Sequence, residues 1–112
     1  MKIETFSNEE CEWTIIIGKN KEENWQIIDD ADPTDIWFHV RDIPSCHVIL
    51  KTTTSLSSIS RDVLKYSALL CKMNSKAKTE KKAIIMYTPI EYVAKTKHVG
   101  EVNVSTFKTL VV

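Results

Sequence analysis

Asp35-Ile36-Trp37-Phe38-His39-Val40, then the turn-like Asp42-Ile43-Pro44-Ser45, then His47-Val48-Ile49-Leu50-Lys51, is the stretch whose reading decides the fold. Both apolar runs are short and rich in β-branched and aromatic residues, which predicts two neighbouring strands, Asp35 to Val40 and His47 to Lys51. Side chains alternate across a strand, so Ile36, Phe38, Val40, Val48 and Leu50 make one plainly apolar face. Asp35, Trp37, His39, Arg41, His47, Ile49 and Lys51 fall on the other. That second face is aromatic, imidazole and cationic, and two readings of it stay open. It is either an open platform for base stacking, with Arg41 and Lys51 for phosphate, or it is covered by a second layer, with Trp37 in a core.

Working outward, Thr14-Ile15-Ile16-Ile17 closed by Gly18 predicts a buried strand, paired in a hairpin with Lys2 to Phe6. Glu22 to Asp29 suits a short helix capped by Asn20, with acidic residues in its first turn. A polar loop, Thr52 to Ser60, leads to the longest predicted helix, Arg61 to Ser75, with Ser60 at its N-cap. A solvated connection, Lys76 to Lys81, precedes a strand from Ala83 to Tyr87 stopped by Pro89. Short strands close the chain near Val102 to Val104 and Thr109 to Val112. Several strands around two helices without βαβ alternation predict an α+β fold: a mostly antiparallel sheet packed against one long helix and a short helix. With 112 residues, 43% of them hydrophobic, residues 1–112 are expected to form a single domain with one core.

The composition narrows the function. Three cysteines, Cys11, Cys46 and Cys71, make no even set and no C-x-x-C pair, which argues against a disulfide framework or a zinc site and for a reducing compartment. The start Met1-Lys2-Ile3-Glu4 lacks the pattern of a signal peptide, and no apolar run approaches the ~20 residues that span a bilayer. A soluble cytoplasmic protein, with no membrane partner and no cofactor, is the expectation. Net charge is zero, but residues 1–50 hold four Lys/Arg against eleven Asp/Glu, and residues 51–112 hold eleven against four. Such a split is how a local basic footprint looks in sequence.

The footprint centres on the long helix. At 100° per residue, Lys65, Lys72 and Lys76 fall within about 60° of Arg61, opposite the apolar or small set Val63, Leu64, Ser67, Ala68, Leu70 and Cys71. These four cations predict a solvent-facing rail of about 22 Å for nucleic-acid phosphates, extended by Lys78, Lys81 and Lys82 and by Lys95, Lys97 and His98. An ordinary solvated helix face is the competing reading. A catalytic reading needs Asp35 to orient His39, or Cys46 to act as a thiolate, and no activated nucleophile is indicated.

The ordered series Gly18-Lys19-Asn20 with Glu23-Asn24, Asp35-Ile36-Trp37-Phe38-His39-Val40, Pro44-Ser45-Cys46-His47-Val48-Ile49-Leu50-Lys51, Met86-Tyr87-Thr88-Pro89, Val93-Ala94-Lys95-Thr96, Val99-Gly100-Glu101-Val102 and Lys108-Thr109-Leu110-Val111-Val112 resembles the NFACT-R domain, the RNA-binding module of NFACT proteins. It looks most like the eukaryotic single-domain members that carry this module followed by a coiled coil. The resemblance implies nucleic-acid binding and a link to ribosome-associated quality control, where larger relatives engage the large ribosomal subunit and tRNA. It makes ribosomal RNA, tRNA or the ribosome the expected partner, with DNA the alternative polyanion. It does not imply catalysis, and peptidyl-tRNA handling or tailing does not carry over to this module. A ribosome or protein adaptor without nucleic-acid contact is the rival function. One departure bears on geometry: Ser45 stands where the family often has glycine, which puts the backbone of that loop in question.

Overall fold

The β-branched and aromatic runs do form the strands, and their pairing is antiparallel throughout. The computed structural model describes residues 1–9 and 11–112. Strand β1 (Lys2–Ser7) pairs with β2 (Glu12–Ile17), and Thr5 faces Thr14 across the hairpin. Strands β3 (Ile36–Val40) and β4 (Val48–Leu50) pair with each other, placing Trp37 opposite Ile49 and Phe38 opposite Val48. With β5 (Ile84–Pro89) and β8 (Lys108–Val111) they complete a six-stranded sheet in the order β1-β2-β4-β3-β5-β8. A separate hairpin, β6 (Val93–Lys95) with β7 (Val102–Val104), stands outside that sheet.

Helix α2 (Arg61–Met73) covers one face of the sheet. Its Val63, Ala68 and Cys71 pack on Ile36, Phe38, Val40, Val48 and Leu50, the alternate set read from the sequence, and on Ile15, Ile17 and Ile85. Phe6 adds a ring contact to Tyr66 of the helix at 5.0 Å. Ser60 holds the N-cap position, yet its side chain makes no capping bond; its oxygen accepts from the Asn8 side chain at 3.4 Å instead. The Asp62 carboxylate serves the helix start by accepting from the Val63 backbone N–H at 2.9 Å.

The opposite face is covered as well, by helix α1 (Lys21–Asp29) and the β6–β7 hairpin. Nine residues are too few for a stable isolated helix, so α1 depends on its cap and on burying Ile27 and Ile28 against Trp37, Ile49 and Ile90. Trp25 and the hairpin residues Val93, Val102 and Val104 extend this second core. The α+β architecture read from the sequence therefore stands, with the two helices on opposite sides. Strands β3 and β4 are buried on both faces: Ile36, Trp37, Phe38 and Val40 are at most 3% exposed.

Candidate nucleic-acid interface

The site is built from the turn between β2 and α1. Asn20 caps α1, its side-chain oxygen accepting from the Glu23 backbone N–H at 2.8 Å, while the Glu23 carboxylate accepts from the Lys19 backbone N–H at 3.0 Å. The same carboxylate meets the N-terminal ammonium at 2.6 Å, and these two contacts hold its pKa below the usual value. One residue on, the buried Asn24 accepts from the His47 backbone N–H at 3.0 Å, while Gly18 N–H donates to the His47 carbonyl at 3.0 Å. Gly18 is required there: a Cβ would lie 2.3 Å from the Asn24 oxygen. The Gly-Lys-Asn and Glu-Asn pieces of the sequence thus clamp both backbone groups of His47.

Three rings then pack into one cluster. Trp37 Nε1–H donates to His47 Nδ1 at 3.2 Å, which leaves the His47 proton on Nε2. His39 stacks on Trp37 with ring centroids 5.6 Å apart and planes 11° from parallel, and meets His47 edge-on at 5.1 Å. Burial lowers the His39 pKa below its ordinary value and takes that of His47 down to about 3, with His39 a lesser cause. Both imidazoles are neutral at physiological pH and offer hydrogen-bonding edges rather than charge.

This cluster floors a groove of about 1070 Å³. Its walls come from the start of α1, the β3–β4 turn, the segment after α2 and the tip of the β6–β7 hairpin. Gly100, at φ 85°, lets that tip sit directly on α1, where a Cβ would fall 2.5 Å from Lys21 Cβ. The Trp25 indole N–H donates to the Glu101 carbonyl at 3.1 Å and pins the hairpin further. Ser45 answers the question raised by its place in the family pattern. Its hydroxyl accepts from the Val40 N–H at 3.1 Å and lies 2.9 Å from the Cys46 carbonyl, closing the turn. The one positive φ in that turn falls on Asp42, at 67°. Four exposed lysines, Lys19, Lys21, Lys76 and Lys78, rim the groove against the carboxylates Asp42 and Glu101. None of the four makes a salt bridge among the described residues.

The structure rearranges several expected site residues. Trp37 is not an open stacking platform: it is 1% exposed because α1 and the hairpin cover it, and His39 occupies its ring face. The helix rail is also broken. Lys72 is buried, its ammonium directed at the carbonyl oxygens of Lys81 and Val112 at 3.5 and 3.4 Å, because the chain doubles back over the end of α2. Arg61 and Lys65 are exposed on α2 but lie outside the groove, and Lys76 reaches its rim from a 3₁₀ turn (Lys76–Thr79) beyond the helix. Lys51 is engaged by Asp35 and, at 3.6 Å, by Asp32, in a second cavity that also holds Asp35. Arg41 pairs with Asp42 at 3.2 Å. Lys95 pairs with Asp29 at 2.6 Å and sits 5.1 Å from the Trp25 ring centre; Lys97 is exposed outside the groove. Asp35 does not orient His39: its carboxylate accepts from Lys51, from Asp32 N–H at 2.8 Å and from Thr52 N–H at 3.0 Å. Lys19 and Lys21, flanking the α1 cap, were not among the expected phosphate contacts; the signal was a cap residue between two lysines at a helix start, where backbone N–H groups favour anions.

An α+β domain with a lysine-rimmed groove over neutral rings is the class of molecule defined here. The comparisons with known proteins make it specific: residues 2–107 match the NFACT protein RNA binding domain, and the chain belongs to that family. It is 40% identical over 86 residues to coiled-coil domain-containing protein 25 of Danio rerio and 37% over 87 residues to that of Mus musculus. Each match covers about three quarters of this chain, 74% and 75%, and 42% of the relative. The Rqc2 homolog RqcH of Bacillus subtilis is 32% identical over 83 residues, 73% of this chain and 14% of its own length. The chain thus spans less than half of these relatives. Among solved structures, the C-terminal part of the fibronectin/fibrinogen-binding protein from Streptococcus suis superposes with a TM-score of 0.84 at 28% identity, over 100% of this chain and 45% of that one.

Proposed function

We propose that this domain binds RNA as a non-catalytic module, taking an unpaired segment into the groove over His39 and His47. The observation that carries the reading is the combination of uncharged rings on the floor with four rim lysines that make no salt bridge among the described residues. The half-buried, neutral His39 imidazole supplies a hydrogen-bonding and stacking edge to bases and the lysines neutralise phosphates along the strand, while His47, only 2% exposed, supports His39 from beneath. A concave groove walled by four segments suits splayed bases better than a stacked duplex. The cytoplasmic ribosome, with ribosomal RNA or tRNA, is the setting we infer, supported by the family and by the likeness to RqcH. A catalytic role is disfavoured by the way Lys51, Asp32 and Thr52 occupy the Asp35 carboxylate.

The test is a salt series with a single-stranded RNA oligonucleotide. Log affinity should fall with log salt by roughly 0.7 per neutralised phosphate, and Lys19→Ala, Lys21→Ala, Lys76→Ala and Lys78→Ala together should lower the slope by up to about 2.8. The pair Arg61→Ala and Lys65→Ala, away from the groove, should leave it nearly unchanged. An unaltered slope in the fourfold variant would remove the groove as the RNA site. No RNA binding at low salt by the unmodified protein would favour an adaptor role instead.

A further inference from the structure

We propose that Cys46 and Cys71 form an oxidisable dithiol, a modification site that a peroxide reaches through the groove and converts to an intramolecular disulfide. The two residues are far apart in sequence but meet where the β3–β4 turn passes over α2. Cys46 Sγ lies 3.6 Å from the Cys71 carbonyl oxygen and Cys71 Sγ lies 3.7 Å from the Cys46 carbonyl oxygen. Each thiol reaches the other's backbone, so the side chains run alongside one another in opposite directions. The two thiols also hydrogen-bond one another, and side chains lying alongside in this way allow the Cβ separation of about 4 Å that a disulfide needs. The Ser45 hydroxyl, 4.0 Å from Cys71 Sγ, closes the same small cluster.

The two sulfurs are not equivalent. Cys46 lines the groove and is 9% exposed, whereas Cys71 is fully enclosed between helix and sheet. Hydrogen bonding from the Cys71 thiol favours the Cys46 thiolate and lowers its pKa, while the thiolate form of Cys71 is disfavoured by that same contact and by burial. Cys46, the sulfur that lines the groove, is therefore the attacking one, and Cys71, enclosed behind it, the resolving one. The Cys46 thiolate takes the terminal oxygen of hydrogen peroxide, breaking the O–O bond and releasing hydroxide, to give the sulfenic acid. Cys71 sulfur then attacks Cys46 sulfur; the S–O bond breaks, and the departing hydroxide takes the Cys71 proton as water. Two thiols are oxidised, one peroxide is reduced to two waters, and an external dithiol reverses the change. Cys11, exposed on β2's side of the molecule, takes no part.

The experiment uses the full chain carrying Cys11→Ser, treated with hydrogen peroxide under native conditions and mapped by mass spectrometry without reduction. The expected result is loss of two hydrogens and a linked peptide pair containing Cys46 and Cys71, restored by dithiothreitol. The linked form should melt higher by roughly 5–15 °C, because the bond constrains the unfolded chain. In the native, unoxidised protein iodoacetamide should label Cys46 before Cys71, a measurement that needs no core substitution. With Cys71→Ser added, Cys46 should be trapped as a sulfenic acid by dimedone. Two free thiols after peroxide treatment, Cys71 labelling first, a linkage that forms only in urea, or a linked form that melts lower would each overturn the proposal.

Discussion

His39 lies flat on Trp37, its ring 5.6 Å from the indole and 11° from parallel, so the signature strand presents an imidazole to the groove and keeps its tryptophan inside. The two residues are two apart on β3 and share a face, yet they have separable duties. Trp37 joins the strand to α1 and the hairpin, and His39 is the ring that the proposed RNA site offers to a base.

Substitution should divide those duties. His39→Ala should leave the fold intact and weaken single-stranded RNA binding by about 1–3 kcal/mol, the usual worth of one stacked base. Trp37→Ala should cost about 3–5 kcal/mol of stability through the cavity it leaves. Urea melts and fluorescence anisotropy on the two variants check this; equal loss of stability in both would deny His39 a separate role.

Acid should destabilise the protein before its carboxylates are protonated. The unfolded chain protonates His47 near pH 6.5, whereas the folded chain holds it neutral down to about 3. Between those values the unfolded state binds a proton the native state refuses, so this contribution is complete above about pH 6.5 and declines as pH falls, by up to about 1.4 kcal/mol per unit. His39, lowered for the same reason, acts in the same direction. The lowered carboxyls of Glu23 and Asp62 begin to matter only below their ordinary values of 4.5 and 3.8. Urea unfolding at pH 7 and pH 5 therefore isolates the imidazoles, and His47→Gln should flatten the difference.

Gly18→Ala should cost about 1–3 kcal/mol, because the new methyl falls on the Asn24 oxygen and forces apart the clamp on His47. Asn24→Ala should reproduce the defect by removing the acceptor. Thermal melts of both, with the amide shift of His47 as a local probe, test the clamp.

Lys72→Ala should act on stability and leave RNA affinity per folded molecule unchanged. Its ammonium satisfies the carbonyls of Lys81 and Val112, and its loss should cost about 1–2 kcal/mol. Lys76→Ala should do the reverse: near-native melting and a smaller salt slope. A Lys72→Ala protein that melts normally but binds RNA poorly would restore the lysine to the phosphate-binding set.

Local pattern determined much of this protein. Period-two alternation in Ile36, Phe38, Val40, Val48 and Leu50 marked one core face, the lack of βαβ alternation pointed to antiparallel pairing, and Gly18, Asn20 and Pro89 marked the turns and the cap. The ordered motif series pointed to the family. What the pattern could not settle was what covers the other face, because that depends on partners distant in sequence: α1 and a hairpin that begins at Val93 close over Trp37. Helical periodicity likewise placed Lys72 beside Arg61 and Lys65 but could not register the returning chain whose carbonyls take up its charge. Faces are local and come from geometry along one element. Exposure is relational, so only the tertiary structure decided which rings and which lysines remain free.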